Sequence, residues 1–165
     1  MEEMDRLWAP WRMEYVQVPD KQGDGCFLCR AAEAEDERDN LVLWRTEHSL
    51  AVVNFFPYNN GHLLIAPRAH KADLEDLTAD ELDDQMALLG RCHRALAAAM
   101  QPHGFNIGMN LGQAAGAGLP GHAHWHIVPR WHGDANFMPT VADTKVIPQS
   151  LEALWKLLRR TDVAL

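Results

Sequence analysis

The sequence predicts a single α+β domain in which two helices pack against a mainly antiparallel sheet of five strands. Two observations favour this class: short apolar runs separated by turn residues recur along the chain, and two longer segments carry helical periodicity. A chain of 165 residues is long enough for one substantial core and too short for two ordinary domains. We therefore divide it into an amino-terminal extension, residues 1–25, and one domain, residues 26–165.

Five segments have the length and composition of strands. A Pro-Tyr-Asn-Asn turn cluster separates the second segment from the third, which predicts that these two are antiparallel neighbours. In the fourth segment apolar residues alternate with small or polar ones, which predicts one face in the core and one face open. The five segments are residues 41–46, 49–56, 61–67, 105–111 and 121–130.

Two segments have the period of a helix. The longer one ends at Met100 before Pro102, and it begins with Thr78 and Glu81, whose spacing is that of a capping box. Its expected buried stripe consists of Leu82, Met86, Leu89, Leu96 and Met100. The shorter one, after the capping residue Ser150, has an expected buried stripe of Leu151, Leu154, Trp155 and Leu158.

Composition excludes several classes of partner. The net charge of −8 argues against sequence-independent nucleic-acid binding, which needs a basic surface to contact phosphates. No apolar run approaches the roughly 20 residues that span a bilayer, and the first residues are acidic where a signal peptide is basic. We therefore expect a cytoplasmic protein that binds neither nucleic acid nor membrane, and a small anionic substrate remains compatible with this composition.

Three histidines, His122, His124 and His126, occupy alternate positions and would share one face of a strand. They could all bind one catalytic metal, although residues two apart on a strand are separated by roughly 6.5–7 Å, which is wide for ligands of one zinc ion. The alternative is catalysis at phosphorus. A neutral imidazole held through one ring nitrogen attacks through the other, and neighbouring imidazoles stabilise the developing charge.

A glycine-rich connection, residues 112–121, precedes the histidines and contains Gly116 and Gly118. Glycine lets a backbone approach an anion closely, so the amides of this connection could contact phosphate. A flexible hairpin loop is the alternative interpretation.

Cys26 and Cys29 form a C-x-x-C pair, which is half of a structural zinc site and would need two histidines to complete it. A redox dithiol is disfavoured because no β-α-β pattern surrounds the pair, and two unliganded thiols remain an alternative. A single catalytic zinc on the three alternate histidines would leave both cysteines unexplained.

Residues 110–131, NLGQAAGAGLPGHAHWHIVPRW, closely resemble the signature of the histidine triad (HIT) superfamily of nucleotide hydrolases and transferases. Residues 50–70 are similar to the family's first hairpin. Residues 6–12 and 129–139 are similar to the branch that contains bacterial diadenosine tetraphosphate phosphorylases and related hydrolases. The resemblance covers roughly residues 6–150 and implies a HIT-like fold.

The resemblance also implies roles for individual residues. His124 matches the nucleophile that attacks the α-phosphorus, and His126 matches the contact to the phosphate oxygens. His62 matches a fourth histidine that orients the site. Asn54 matches the residue that hydrogen-bonds the ribose hydroxyls, and Asn110 matches a polar residue near the phosphates and the leaving group.

Some members of the family carry a structural zinc ion on a C-x-x-C pair and two histidines. The matching positions here are Cys26, Cys29, His70 and His122. The resemblance thus assigns His122 to zinc and the next two histidines of the triad to phosphate chemistry, with one zinc per chain.

The predicted function is nucleotidyl transfer from the α-phosphate of a dinucleoside polyphosphate, such as diadenosine tetraphosphate, through a nucleotidyl-histidine intermediate. Whether water or inorganic phosphate accepts the nucleotide stays open. Hydrolysis of nucleoside monophosphate conjugates such as phosphoramidates, and nucleotide binding by a non-catalytic regulator, are the alternatives. The family implies a homodimer.

Overall fold

The computed structural model describes residues 25–134, 146–161 and 163. Nearly all of the predicted extension, residues 1–25, lies outside the described residues, so the division of the chain into extension and domain stays a prediction. Within the described part, the architecture is the expected α+β class. No described helix has the length and apolar character needed to cross a membrane.

The elements follow one another in this order: α1 Phe27–Glu33, β1 Val42–Arg45, β2 Ser49–Val53, β3 Leu63–Pro67, α2 Ala79–Met100, β4 Gly104–Met109, β5 Trp125–Arg130 and α3 Leu151–Arg160. Short 3-10 turns lie at Leu74–Asp76 and Gln113–Ala115. The described part thus contains three α-helices where the sequence predicts two. The additional helix, α1, forms because Leu28, Ala31 and Ala32 recur at helical spacing and are buried against the sheet.

The sheet is antiparallel throughout, in the order β1-β2-β3-β5-β4. Strands β2 and β3 pair as neighbours, which confirms the prediction from the turn cluster. Side chains alternate between the two faces, so Leu63 and Ile65 pack with residues of α2 and α3, whereas Leu64 and Val52 pack with α1. The face that α1 covers is also the face of His62 and His126, since His126 pairs with Leu64.

The predicted histidine strand is shorter than expected. Strand β5 begins at Trp125, so His122 and His124 precede it and only His126 lies on the strand. The backbone N–H of Ala123 instead donates to the Lys71 carbonyl at 2.7 Å, and so this extended run follows the chain that continues from β3. Departure from the ladder lets the His122 side chain take partners different from those of His126.

Helix α2 begins at the predicted capping box. The Thr78 side chain accepts the N–H of Glu81, and the Glu81 carboxylate accepts the N–H of Thr78. Its buried stripe differs from the predicted one, because Met86 is 42% exposed. The buried side chains are Glu81, Gln85, Leu88, Cys92, Ala95 and Leu96. Several rows of α2 are apolar enough to be buried, and the sheet selects the row that faces it.

Helix α3 is fixed against the outer strand β1. Ser150 caps it by accepting the N–H of Ala153, and the expected residues Leu154 and Leu158 are buried. The indole N–H of Trp155 donates to the Val42 carbonyl at 2.7 Å. The apolar layer under α2 and α3 therefore forms the larger core and leaves the opposite face of the sheet for the site.

Candidate active site and metal cluster

The imidazole of His124 is held as a neutral ring with one free lone pair. Its Nδ1 lies 2.7 Å from the His122 carbonyl oxygen, which accepts only, so Nδ1 carries the proton and donates. The proton-free nitrogen is therefore Nε2. The residue is 6% exposed, and burial lowers its pKa despite the hydrogen bond to the carbonyl. A neutral imidazole with a free lone pair can act as a nucleophile at neutral pH.

The imidazole of His126 lies beside it and presents a proton. The two ring centroids are 4.9 Å apart in an edge-on arrangement. Among the described residues, Nε2 of His126 is buried and has no hydrogen-bond partner. Burial, and then the neighbouring His124, lower the pKa of His126 to about 4, so this ring is neutral as well.

The proton on His126 is placed by a relay of hydrogen bonds. The backbone N–H of Tyr58 donates to Nδ1 of His62 at 3.0 Å, so Nδ1 of His62 is an acceptor and its Nε2 carries the proton. That Nε2 lies 2.9 Å from Nδ1 of His126 and donates to it. The proton of His126 is therefore on Nε2, which has no partner among the described residues, and the site places a donor beside the ring of His124.

Asn54 lies at the end of β2 next to the relay. Its Oδ1 accepts the N–H of Phe56 at 2.9 Å, so its Nδ2 faces His62, 3.2 Å from Nδ1. The residue is thus at the site, as expected, and its predicted contact with ribose hydroxyls stays a prediction. Two phenylalanines follow it at the surface, Phe55 being 45% and Phe56 73% exposed.

The glycine-rich connection folds into a compact turn. Gly112 and Gly116 have φ angles of 76° and 86°, in the left-handed region that favours glycine. Three backbone N–H groups, of residues 115, 116 and 117, bond to carbonyls of residues 112 and 113 inside the turn. A phosphate contact from the predicted Gly116 or Gly118 amides stays a prediction, and the internal bond of Gly116 speaks against its own N–H as the donor.

Strand β4 leaves space beside His126. Gly108 pairs with His126, so both lie on the same face, and a Cβ built on Gly108 would meet nothing within 4 Å. Asn110 follows the strand directly, two residues along from Gly108. Its role near the phosphates stays a prediction.

Four side chains from three parts of the described chain converge on a second, separate point. They are Cys26, Cys29, His70 and His122, whose candidate ligand atoms all lie within 4.8 Å of one another. The Cys26 sulfur is 3.1 Å from Nδ1 of His122, and the Cys29 sulfur is 3.2 Å from Nδ1 of His70. Two thiols and two imidazoles at this spacing are the donor set and size of a tetrahedral zinc site.

The hydrogen bonding of His122 supports a metal at this cluster. Nε2 of His122 donates to the Pro67 carbonyl at 2.8 Å, so Nδ1 is proton-free and points to the two sulfurs. Burial is the main cause that lowers the pKa of His122, so the ring is neutral, as a ligand must be. Burial and the neighbouring Cys26 raise the pKa of the Cys29 thiol to about 11. A bound metal would therefore displace protons from the thiols.

Three residues of the site carry no signal in the sequence. The ring of Tyr58 stacks on His126, with centroids 5.6 Å apart, and its N–H fixes His62. Asn59 and Asp134 bond to each other at 2.8 Å and connect the turn before β3 to the end of β5. In the sequence, Tyr58 and Asn59 look like part of an ordinary turn. The group of Tyr58 that bonds to His62 is its main-chain N–H, which no pattern of side chains reveals.

Comparison with known proteins identifies the family and the relatives of this chain. The family model of the HIT domain matches residues 35–133. The AP-4-A phosphorylase of Mycobacterium tuberculosis is 39% identical over 163 residues, which is 95% of this chain and 84% of that protein. The asymmetrical bis(5'-nucleosyl)-tetraphosphatase of Schizosaccharomyces pombe is 36% identical over 93 residues, 56% of this chain and 50% of that protein.

A solved structure combines the fold with the metal. A Zn-bound histidine triad family protein from Mycobacterium smegmatis superposes with a TM-score of 0.65 and 26% identity, covering 83% of this chain and 92% of that one. The fold of this chain thus has a solved counterpart that binds zinc.

Proposed function

We propose that this chain, which belongs to the HIT domain family, transfers a nucleotidyl group from a dinucleoside polyphosphate through a covalent intermediate on His124. Its relatives include enzymes that process dinucleoside polyphosphates. One observation carries the proposal above all. The neutral ring of His124, with a proton-free Nε2, lies beside the neutral ring of His126, whose Nε2 N–H has no hydrogen-bond partner among the described residues. A nucleophile and a donor so paired suit attack on a phosphorus whose oxygens gain charge.

In the first step Nε2 of His124 attacks the α-phosphorus. The bond from this phosphorus to the bridging oxygen breaks, and the leaving nucleoside polyphosphate takes the bonding electrons. The imidazole becomes positively charged and keeps its Nδ1 proton on the His122 carbonyl, which stabilises that charge. The His126 N–H contacts a non-bridging oxygen of the phosphoryl group, where negative charge develops.

In the second step an acceptor attacks the phosphorus from the opposite side and His124 leaves as a neutral imidazole. If water is the acceptor, it loses one proton and the product is a nucleoside monophosphate. If inorganic phosphate is the acceptor, the product is a nucleoside diphosphate. Division into two displacements means that donor and acceptor need not occupy the site together.

Inorganic phosphate is the first candidate for the acceptor, because the similarity to a phosphorylase extends over 95% of this chain. Hydrolysis is the second candidate, since a relative that shares 36% identity with part of the chain is a tetraphosphatase. Both candidates use the same first step and the same histidines.

The four-residue cluster would hold one structural zinc ion. Cys26, Cys29, His70 and His122 would fill all four positions, so the ion would join α1 to the chain around β3 and β5 and leave no position for water. Its contribution is to stability and to the position of His124, two residues from a ligand. Reduced thiols at this cluster, together with the free Cys92, suit a cytoplasmic location.

The acceptor is determined by incubating the protein with diadenosine tetraphosphate, with and without inorganic phosphate, and separating the products. Phosphorolysis gives ADP and ATP only when phosphate is present. Hydrolysis gives AMP and ATP without it. If neither condition gives turnover, the dinucleoside proposal is wrong, and adenosine 5'-phosphoramidate tests the monophosphate alternative in the same assay.

A further inference from the structure

The proton on His126 depends on residues outside the reaction centre. We propose that Asn59 and Asp134 are positioning residues that clamp the turn before β3 onto β5 and so keep the reactive proton of His126 on Nε2. The inference rests on the proposed function, because the reaction uses that proton. Neither residue belongs to the set that the sequence predicts for the site.

The relay allows one arrangement of protons as long as the Tyr58 amide keeps its place. A backbone N–H is always a donor, so Nδ1 of His62, 3.0 Å from it, must accept. With the proton of His62 on Nε2, Nδ1 of His126 must accept too. If the Tyr58 amide moved away, both imidazoles could exchange tautomers together, and His126 would then present a lone pair to the phosphate oxygens instead of a donor.

The Asn54 amide does not perform this task. Its Nδ2 lies 3.2 Å from Nδ1 and 3.5 Å from Nε2 of the same His62 ring. A donor on the lone-pair axis of one ring nitrogen would be much farther from the other, so Nδ2 lies off both axes. The Tyr58 amide, 3.0 Å from Nδ1 of His62, is a donor aimed at that nitrogen.

The turn that carries this amide is held by Asn59. Its Nδ2 has two hydrogens and two acceptors, the Pro129 carbonyl at 3.1 Å and Oδ2 of Asp134 at 2.8 Å. Its own carbonyl accepts the N–H of His62 at 3.2 Å. Gly61 closes the turn against the same strand, since a Cβ at Gly61 would lie 2.8 Å from Cγ of Pro129. The turn and the end of β5 therefore form one packed unit.

Asp134 is a fixed, charged partner for Asn59. Its two oxygens accept from Nε and an amino group of Arg130, and Oδ2 also accepts the N–H of Trp131. These hydrogen bonds, of which that from Arg130 has the largest effect, lower the pKa of Asp134 to about 2. The carboxylate thus remains an acceptor at every pH at which the enzyme is assayed. Its side chain is only 10% exposed, so water competes little for Asn59.

The test reads the proton positions directly, on the full zinc-loaded chain without substrate. Long-range ¹H–¹⁵N correlation spectra of the histidine rings distinguish a protonated from a proton-free nitrogen, and spectra of His62→Gln and His126→Gln assign the signals. The wild-type protein should show His126 protonated on Nε2. Asn59→Ala should shift this signal toward the value of a mixture of the two tautomers. Asn60→Ala is the matched control and should leave the signal unchanged, because Asn60 bonds to Gln149, just before α3, and not to Asp134.

The kinetic arm uses the same variants with diadenosine tetraphosphate. Asn59→Ala should lower kcat about tenfold with little change in KM, less than the 10²–10³-fold loss typical of deleting an oxyanion donor. Asp134→Ala should act in the same direction, and Asp134→Asn, which keeps an acceptor for Asn59, should recover most of the loss. Wild-type spectra and kcat retained in Asn59→Ala would overturn the clamp. The spectra report on it even if no nucleotide is turned over.

Discussion

At the scale of the residue, what each histidine does is determined by the atom that it bonds. His122, His124 and His126 are alike in the sequence, yet each ring is fixed by a different hydrogen bond. Nε2 of His122 is bound to a carbonyl and its Nδ1 faces two sulfurs. Nδ1 of His124 is bound to a carbonyl, and Nδ1 of His126 accepts from His62. Hydrogen-bond partners thus give the three rings different free atoms, which suit the proposed roles of metal ligand, nucleophile and donor.

This division predicts that activity and zinc binding separate between adjacent histidines of the triad. His124→Ala should lower kcat by about 10³-fold or more, because it removes the attacking atom, while it retains one zinc per chain. His122→Ala is the matched variant and should lose zinc. Metal content by inductively coupled plasma mass spectrometry and turnover of diadenosine tetraphosphate measure the two effects. Loss of zinc from His124→Ala would contradict the assignment and favour a metal on the triad.

At the scale of the element, the amino terminus of α2 is bonded to the segment that carries His70, a candidate metal ligand. Oε2 of Glu81 accepts from the Thr78 backbone at 2.7 Å and from the Lys71 ammonium at 2.6 Å. Lys71 follows His70, and its carbonyl accepts the N–H of Ala123. One carboxylate therefore caps a helix of 22 residues and fixes the segment between the metal cluster and β5.

Glu81→Gln should destabilise the fold at neutral pH by about 1 kcal/mol, since the amide is a weaker partner for the ammonium and the helix terminus. The hydrogen bond from Lys71 is the first cause that lowers the pKa of Glu81 below its usual value. A lowered folded pKa means that the contribution is present above the unfolded pKa, about 4.3, and is lost as the pH falls through the folded pKa.

The difference in unfolding free energy between wild type and Glu81→Gln should therefore shrink below about pH 4.3. Urea denaturation of both proteins at pH 7 and at pH 3, after removal of zinc by a chelator, measures it. Asp83→Asn, on the exposed side of α2, is the matched control and should change stability little. A difference that stays constant over this range would show that the charge of Glu81 contributes nothing.

At the scale of the whole molecule, the two faces of the sheet differ in what they contact. One face packs on α2 and α3 and forms the larger core, while the other carries the site and is covered in part by α1. Strand β4 lies at the edge of the sheet, paired only with β5 among the described strands. It exposes Ile107 at 47%, and an edge strand with unpaired backbone groups and an apolar side chain is a template for pairing.

We therefore expect a homodimer in which the β4 edge takes part. Light scattering coupled to size-exclusion chromatography should give twice the chain mass of 18.6 kDa, about 37 kDa. Ile107→Lys should shift the protein to the monomer, because a charge on the edge opposes pairing, and Ile107→Val should not. A wild-type mass of one chain would contradict the expectation, and a dimer of Ile107→Lys would place the interface elsewhere.

The sequence by itself determined most of the strands and helices and the four residues of the candidate metal cluster. Turn residues marked the β2–β3 hairpin, Thr78 and Ser150 marked the helix starts, and the metal cluster assembled from the four residues that the resemblance named. These features depend on local chemistry or on side chains of distinctive type. Periodicity did not identify the buried row of α2, where Met86 proved exposed, because several apolar rows satisfy one period.

Only the tertiary structure decided how the protons are arranged. Nothing local indicates that the Tyr58 amide determines the tautomer of His126, or that Asn59 and Asp134, which are 75 residues apart in the chain, hold that amide in place. A main-chain N–H is present at almost every residue, so its function appears only when folding aims it at one atom. The sequence therefore specified the candidate histidines, and long-range packing decided which of their nitrogens carry the protons.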